Sequence, residues 1–218
     1  MKLLHITILS LIISFAGMHL PAMAQPFIGE IRQFRKQDSL QQPPANAILF
    51  IGSSSFTMWR DVQEYFPGKT IINRGFGGSS LPHLIMYFDD VVKPYRPKQV
   101  IIYCGENDLT VDTTQPHHVL QRFTTLFHMI RQAHPGVPIG YISIKPSPSR
   151  ANLMTKMELS NQLIRLFLQK QSNADYINVY NDMLHAGKPK PGIFLKDKLH
   201  MNKTGYAIWQ RIIQPYLK

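Results

Sequence analysis

The chain has 218 residues, with 24 lysines and arginines against 13 acidic residues for a net charge of +11, and a single cysteine. That length suits one domain with a full-sized core, and a lone cysteine excludes an internal disulfide, leaving packing to supply the stability. The charge favours anionic surroundings such as acidic glycans, lipid headgroups or nucleic acid. No run of five or more basic residues concentrates it, so it reads as a diffusely basic surface and nucleic-acid binding is not expected.

The chain opens with Lys2 before an apolar run from Ile6 to Ala16 and then Ala22-Met23-Ala24. A basic start, a short apolar core and an A-x-A site describe a secretory signal peptide cut between Ala24 and Gln25. The expected mature protein is therefore exported, periplasmic or secreted, and comprises residues 25–218 as one domain. It keeps no stable membrane anchor: the apolar core is short of the ~20 residues of a span, and the residue directly after the cut is Gln25, not a cysteine that could carry a lipid. Removal takes one lysine and no acid, so the mature chain stays strongly basic.

Ile28, Ile31 and Phe34 are spaced by three and predict a short helix within Pro26 to Gln42, followed by a connector at Gln41 to Ala45 with Pro43-Pro44. The run Ile48-Leu-Phe-Ile51 then reads as a buried parallel strand ending in Gly52-Ser53-Ser54-Ser55. Further strands are expected at 69–73, 99–104, 137–144, where Pro138 falls near the start, and 175–179, whose alternation fits an edge. Between them lie a poorer helix over Leu81 to Val92 and a strongly amphipathic one over Pro116 to His134. Leu159 to Leu168 marks another helix and Tyr206 to Ile213 a last one, closed by Pro215. Strands alternating with helices indicate parallel β-crossover-β units. The expected fold is a three-layer α/β/α sandwich around a five-stranded parallel sheet, without repeats or low-complexity tracts.

Ligands of such sheets bind beyond the carboxyl ends of the strands, and four features fall there or just before a helix. A serine of Ser53-Ser54-Ser55 is a candidate nucleophile, with helix capping the plainer role; the residues alone do not choose among the three. Asn73-Arg-Gly-Phe-Gly-Gly-Ser-Ser80 has three glycines in four positions and suits a turn that exposes backbone N–H groups. In Gly105-Glu-Asn-Asp108 the asparagine is placed to aim its side-chain N–H at a developing oxyanion, with turn chemistry the plainer role. Asp197-Lys-Leu-His200 allows a carboxylate and an imidazole to meet at i, i+3, fixing the tautomer of a general base. The ending of a Walker phosphate loop is missing after Gly52, and so is a Gly-x-Ser-x-Gly elbow.

In this order, the four stretches resemble the SGNH (GDSL-type) hydrolase superfamily from about Asn46 to the end of the last helix. The resemblance implies a flavodoxin-like α/β/α hydrolase domain over 25–218, with Ser54 as nucleophile and Asp197 and His200 completing a triad. It implies an oxyanion hole from the N–H groups of Ser54 and Gly78 and the side chain of Asn107. Asn202 and Gly205-Tyr206 belong to the last block. The family's best-known form has aspartate where this chain has Ser53, which changes the hydrogen bonds at the turn.

The implied reaction is hydrolysis of a carboxylic ester through an acyl-serine, without a cofactor. The expected substrate is a small molecule or glycan bearing a small acyl group, acetyl foremost. A lysophospholipase or thioesterase of the same fold and a non-catalytic glycan-binding module are the alternatives. Trp59, Arg74 and Phe76 flank the motifs as candidates to line the substrate pocket, with core or loop packing the alternative for each. His117-His118 lacks the partners of a His-Glu-x-x-His motif, so no metal is assigned. The sequence names neither the natural substrate nor the oligomeric state.

Overall fold

The computed structural model describes residues 25–218. The expected signal peptide, residues 1–24, lies outside the described residues. In chain order the elements are α1 (Ile28–Leu40), β1 (Ile48–Gly52), α2 (Ser54–Thr57), α3 (Val62–Tyr65), β2 (Ile71–Gly75), α4 (Leu81–Met86) and α5 (Phe88–Val91). There follow β3 (Gln99–Tyr103), α6 (Pro116–Ala133), β4 (Ile139–Ile142), α7 (Met154–Leu168) and β5 (Ala174–Ile177). A small hairpin, β6 (Leu184–His185) and β7 (Lys188–Pro189), precedes α8 (Lys203–Ile213).

The sheet runs β2-β1-β3-β4-β5 with every pairing parallel. Side chains alternate across a strand, and here both faces are apolar because both are covered. Leu49 and Ile51 of β1 and Val100 and Ile102 of β3 join a core built with α1 and α4 to α7. Ile48, Phe50, Ile101 and Tyr103 point the other way, onto Phe56 of α2, Val62 of α3 and Trp209 and Ile213 of α8. The expected three-layer sandwich is present. Chain order reverses between β1 and β3, the doubly wound arrangement that opens a crevice at the carboxyl ends of those two strands. Gly52 to Ser55 and Gly105 to Asp108 leave the sheet there.

The details depart from the sequence pattern in several places: β4 is limited to Ile139–Ile142 rather than 137–144, β5 covers Ala174–Ile177 rather than 175–179, and α7 starts at Met154 rather than Leu159. The helix expected over 81–92 breaks at Tyr87, which leaves helical geometry (φ −101°, ψ 21°); its ring packs on Phe76 and its hydroxyl donates to the Pro26 carbonyl. The second strand starts at Ile71 rather than Lys69, because Ile71 is the partner of Ile48, the first residue of β1. The short helices α2 and α3 and the β6–β7 hairpin carry no periodic signal and were not expected. Among the described residues no helix is long and apolar enough to cross a membrane.

Candidate active site

The first loop is set by a close approach. Gly52 ends β1 at φ 155°, and a Cβ there would stand 2.0 Å from the Tyr103 carbonyl oxygen, so no other residue fits. Ser53 donates its N–H to that same oxygen at 3.1 Å. Its backbone is extended (φ −98°, ψ −162°), and its carbonyl accepts the Phe56 N–H at 2.9 Å, so α2 begins at Ser54. Ser53 and Ser55 are 3% and 2% exposed, and Ser54 between them is half-buried. Of the three serines, Ser54 is the one that solvent reaches.

The second and third blocks are pinned to this loop. Asn73 donates to the Phe56 carbonyl at 2.7 Å and accepts the Gly75 N–H at 2.9 Å, joining β2 to α2. Phe76 N–H and Ser79 Oγ both donate to the Gly52 carbonyl, at 3.0 and 3.2 Å. Gly78 lies exposed in the left-handed region at φ 78°. Among the described residues, the N–H groups of Ser54 and Gly78 donate to no protein acceptor. Asn107 Nδ2 donates to Ser53 Oγ at 2.8 Å and to the Ser79 carbonyl at 2.9 Å. Beneath it the buried Asp108 accepts the Leu81 N–H at the start of α4 and the Arg122 guanidinium.

The last block sits on a reversal closed by the Phe194–Met201 bridge, where Leu195 donates its N–H to the His200 carbonyl at 2.7 Å. Asp197 Oδ1 accepts the N–H groups of Leu199 and His200, both at 2.9 Å, and Oδ2 lies 2.7 Å from His200 Nδ1. The bond from His200, helped by the two backbone N–H groups, holds the Asp197 carboxyl down to about 2. With Nδ1 occupied, the free nitrogen of the imidazole is Nε2. No side-chain hydrogen bond joins Ser54 to His200 among the described residues; the two segments are tied by Tyr206 OH, which donates to the Ser55 carbonyl at 2.9 Å. Asn202 caps α8 by accepting the Gly205 N–H, and a Cβ at Gly205 would meet the Ile193 carbonyl at 2.5 Å. Both are structural.

The three pocket candidates lie elsewhere. Trp59 is fully buried and stacks on Tyr206 at 4.8 Å, and Phe76 is buried between Phe27 and Tyr87. Arg74 is paired with Asp38, donates to Tyr95 OH at 2.5 Å and packs on the Phe34 ring. An aromatic or cationic residue beside a motif serves packing as readily as binding, and here neighbouring elements claim all three. His118 Nδ1 accepts the Gln115 N–H and caps α6. Cys104 is buried, and burial pushes its thiol well up, as expected of a small core filler.

Lys145 and Arg150, which lie outside the motifs, join Glu106 of the third block here. Glu106, Lys145 and Arg150 form a largely buried ion cluster beside Asn107. Burial pulls the Lys145 ammonium below the ordinary lysine range, against the opposing pull of Glu106. One signal pointed to it: Lys145 to Arg150 follows β4 at its carboxyl end, on the same rim as the other blocks.

Comparison with known proteins identifies the family and the fold. The model of the GDSL-like lipase/acylhydrolase family matches residues 41–208. Platelet-activating factor acetylhydrolase IB subunit alpha2 of Rattus norvegicus is 23% identical over 168 residues, covering 73% of this chain and 71% of that protein. A GDSL-like lipase from Bacteroides thetaiotaomicron superposes with a TM-score of 0.72 at 17% identity, over 85% of this chain and 96% of that one. A carbohydrate esterase family 3 structure from Talaromyces cellulolyticus gives 0.61 at 16% identity, over 78% and 95%. With its crevice between β1 and β3 and the matched span running from before β1 into α8, the chain belongs to the GDSL-like lipase/acylhydrolase family.

Proposed function

We propose that this chain is an exported serine esterase that releases a small acyl group, acetyl foremost, from a carbohydrate or similar alcohol. The observation that carries the reading is the Asp197–His200 pair, 2.7 Å apart, on the segment tied by Tyr206 to the loop of the accessible Ser54. Ser54 Oγ attacks the ester carbonyl carbon while its proton passes to His200 Nε2. The oxyanion accepts from the N–H groups of Ser54 and Gly78 and from Asn107 Nδ2. Collapse breaks the bond to the alcohol, which leaves with the proton from His200. Water then repeats the attack on the acyl-serine and restores the hydroxyl.

The acetyl preference is supported by the acetylhydrolase and carbohydrate esterase among the similar proteins. Export is supported by the sequence of residues 1–24 and is tested by N-terminal sequencing of the processed protein, expected to begin at Gln25.

The test of the activity is hydrolysis of nitrophenyl esters of increasing chain length by residues 25–218, beside a Ser54→Ala control. The expected result is turnover highest for acetyl and abolished in the control. Equal rates in the two proteins would refute the esterase reading, and a maximum at eight carbons or more would refute the acetyl preference. Acetate released from a panel of acetylated polysaccharides then identifies the alcohol.

A further inference from the structure

Glu106 lies between Gly105 and Asn107 in the third block and is buried. Lys145 Nζ donates to its two oxygens at 3.1 and 3.0 Å, Tyr103 OH donates to it at 2.5 Å, and Arg150 Nη1 lies 3.3 Å away. Two of these donors reach on to the proposed catalytic groups. Lys145 Nζ also donates to the Leu199 carbonyl at 2.9 Å, next to His200. Arg150 Nη2 donates to Asn107 Oδ1 at 2.8 Å. The Ser149 N–H adds a backbone bond to the Lys198 carbonyl at 3.1 Å.

A buried ion pair contributes little net stability compared with apolar residues of the same size, so stability alone does not account for this cluster. Its geometry does. Turning the Asn107 amide over would set its NH2 against the Arg150 guanidinium and its oxygen against the Ser79 carbonyl, two repulsive contacts in place of two bonds. Arg150 and Ser79 together therefore fix which side of the amide presents its N–H groups. Lys145, with three N–H groups and three acceptors, holds the segment carrying His200 to the same carboxylate.

We propose that Arg150, Glu106 and Lys145 are positioning residues for the esterase: the cluster fixes the Asn107 amide with its donors toward the nucleophile loop and holds the Asp197–His200 segment in register with it. Arg150 serves the oxyanion side and Lys145 the base side. This rests on the esterase reading, and none of the three touches the reacting atoms.

The leading test is Arg150→Met, a side chain that is 17% exposed and replaceable without emptying the core. On nitrophenyl acetate its kcat is expected to fall about tenfold, less than the hundredfold or more of a lost oxyanion donor, with KM within about threefold. The double variant Arg150→Met/Asn107→Ala should be no slower than Asn107→Ala alone, because Arg150 acts through that amide. In Arg150→Ala, added guanidinium should restore part of the rate. Lys145→Met should slow phosphonylation of Ser54 by a fluorophosphonate, with folding checked by circular dichroism. If that variant does not fold, Glu106→Gln replaces it in the same measurement. A kcat of Arg150→Met within twofold of wild type, multiplying losses in the double variant, or an unslowed phosphonylation would each overturn the proposal. A wild-type chain without Ser54-dependent turnover would overturn the esterase reading and this one with it; an active wild type beside an unaffected Arg150→Met overturns this one alone.

Discussion

Asp197→Asn changes one atom and separates the orienting role of the carboxylate from its bulk. In the wild type, Oδ1 accepts two backbone N–H groups at 2.9 Å and Oδ2 faces His200 Nδ1 at 2.7 Å. The amide oxygen of asparagine keeps the two backbone bonds, so the loop is retained, but its NH2 then faces Nδ1. Two donors repel, so the imidazole turns its lone pair to Nδ1 and its proton to Nε2, where a general base needs a lone pair. In a dry triad this tautomer error costs about 10⁴ in kcat. Here the Asp197 side chain is 46% exposed, and water screens part of what the carboxylate does for the imidazolium, so the expected loss is about a hundred- to a thousandfold. The assay is steady-state hydrolysis of nitrophenyl acetate, with KM near its wild-type value and an unchanged thermal midpoint. The carboxyl of Asp197 is lowered from 3.8 to about 2, so its contact with His200 is complete above pH 3.8 and lost as the pH falls through about 2. Asp197 therefore adds no ionisation of its own to the pH profile of kcat/KM above pH 4. A variant within fivefold of wild type, or an ionisation of Asp197 above pH 4, would refute this account of the pair.

Three further predictions test the site from other sides. Asn107→Ala should lower kcat about a hundred- to a thousandfold without unfolding the chain; unchanged turnover would remove Asn107 from the oxyanion hole. Gly75→Ala places a Cβ 2.6 Å from Phe56 Cβ and 2.9 Å from the Thr57 nitrogen, so α2 must shift. A stability loss of about 1–3 kcal/mol in urea titration should come with a fall in kcat, because α2 begins at Ser54; wild-type values for both would mean that α2 yields freely. Arg74→Ala should lower the thermal midpoint, since Asp38 loses its cationic partner and keeps only the Tyr95 hydroxyl, and leave KM for nitrophenyl acetate unchanged. A tenfold rise in KM without a stability change would return Arg74 to the substrate pocket.

The sheet was legible because its central strands are apolar on both faces, so Ile48 to Ile51 and Val100 to Cys104 stand out without any period. Strand ends were less so, because register decides them: Ile71 begins β2 only because Ile48 begins β1. The Asp197–His200 contact was legible from its three-residue spacing, a local fact. Glu106, Lys145 and Arg150 were not, since they come from two loops joined only once β3 and β4 pair. Trp59 failed for the same reason in reverse. Its place is fixed by Tyr206 in α8, at the far end of the chain, and nothing near Trp59 in sequence announces that partner.

Ser53 shows how a departure from the family's usual residue acts on chemistry it does not perform. Both N–H groups of Asn107 are occupied at rest, one by Ser53 Oγ and one by the Ser79 carbonyl. On the proposed mechanism an oxyanion must take a share of one of them. The Ser79 carbonyl is fixed backbone, whereas a hydroxyl turns about its χ1 and gives up a neutral hydrogen bond at modest cost. An aspartate at that point would accept the same N–H through a charge-assisted bond roughly twice as strong and would place a second negative charge beside the oxyanion. Serine therefore makes Asn107 easier to recruit. It also leaves the amide less firmly held at its nitrogen, which places more of the task of orienting it on Arg150, which donates to the amide oxygen.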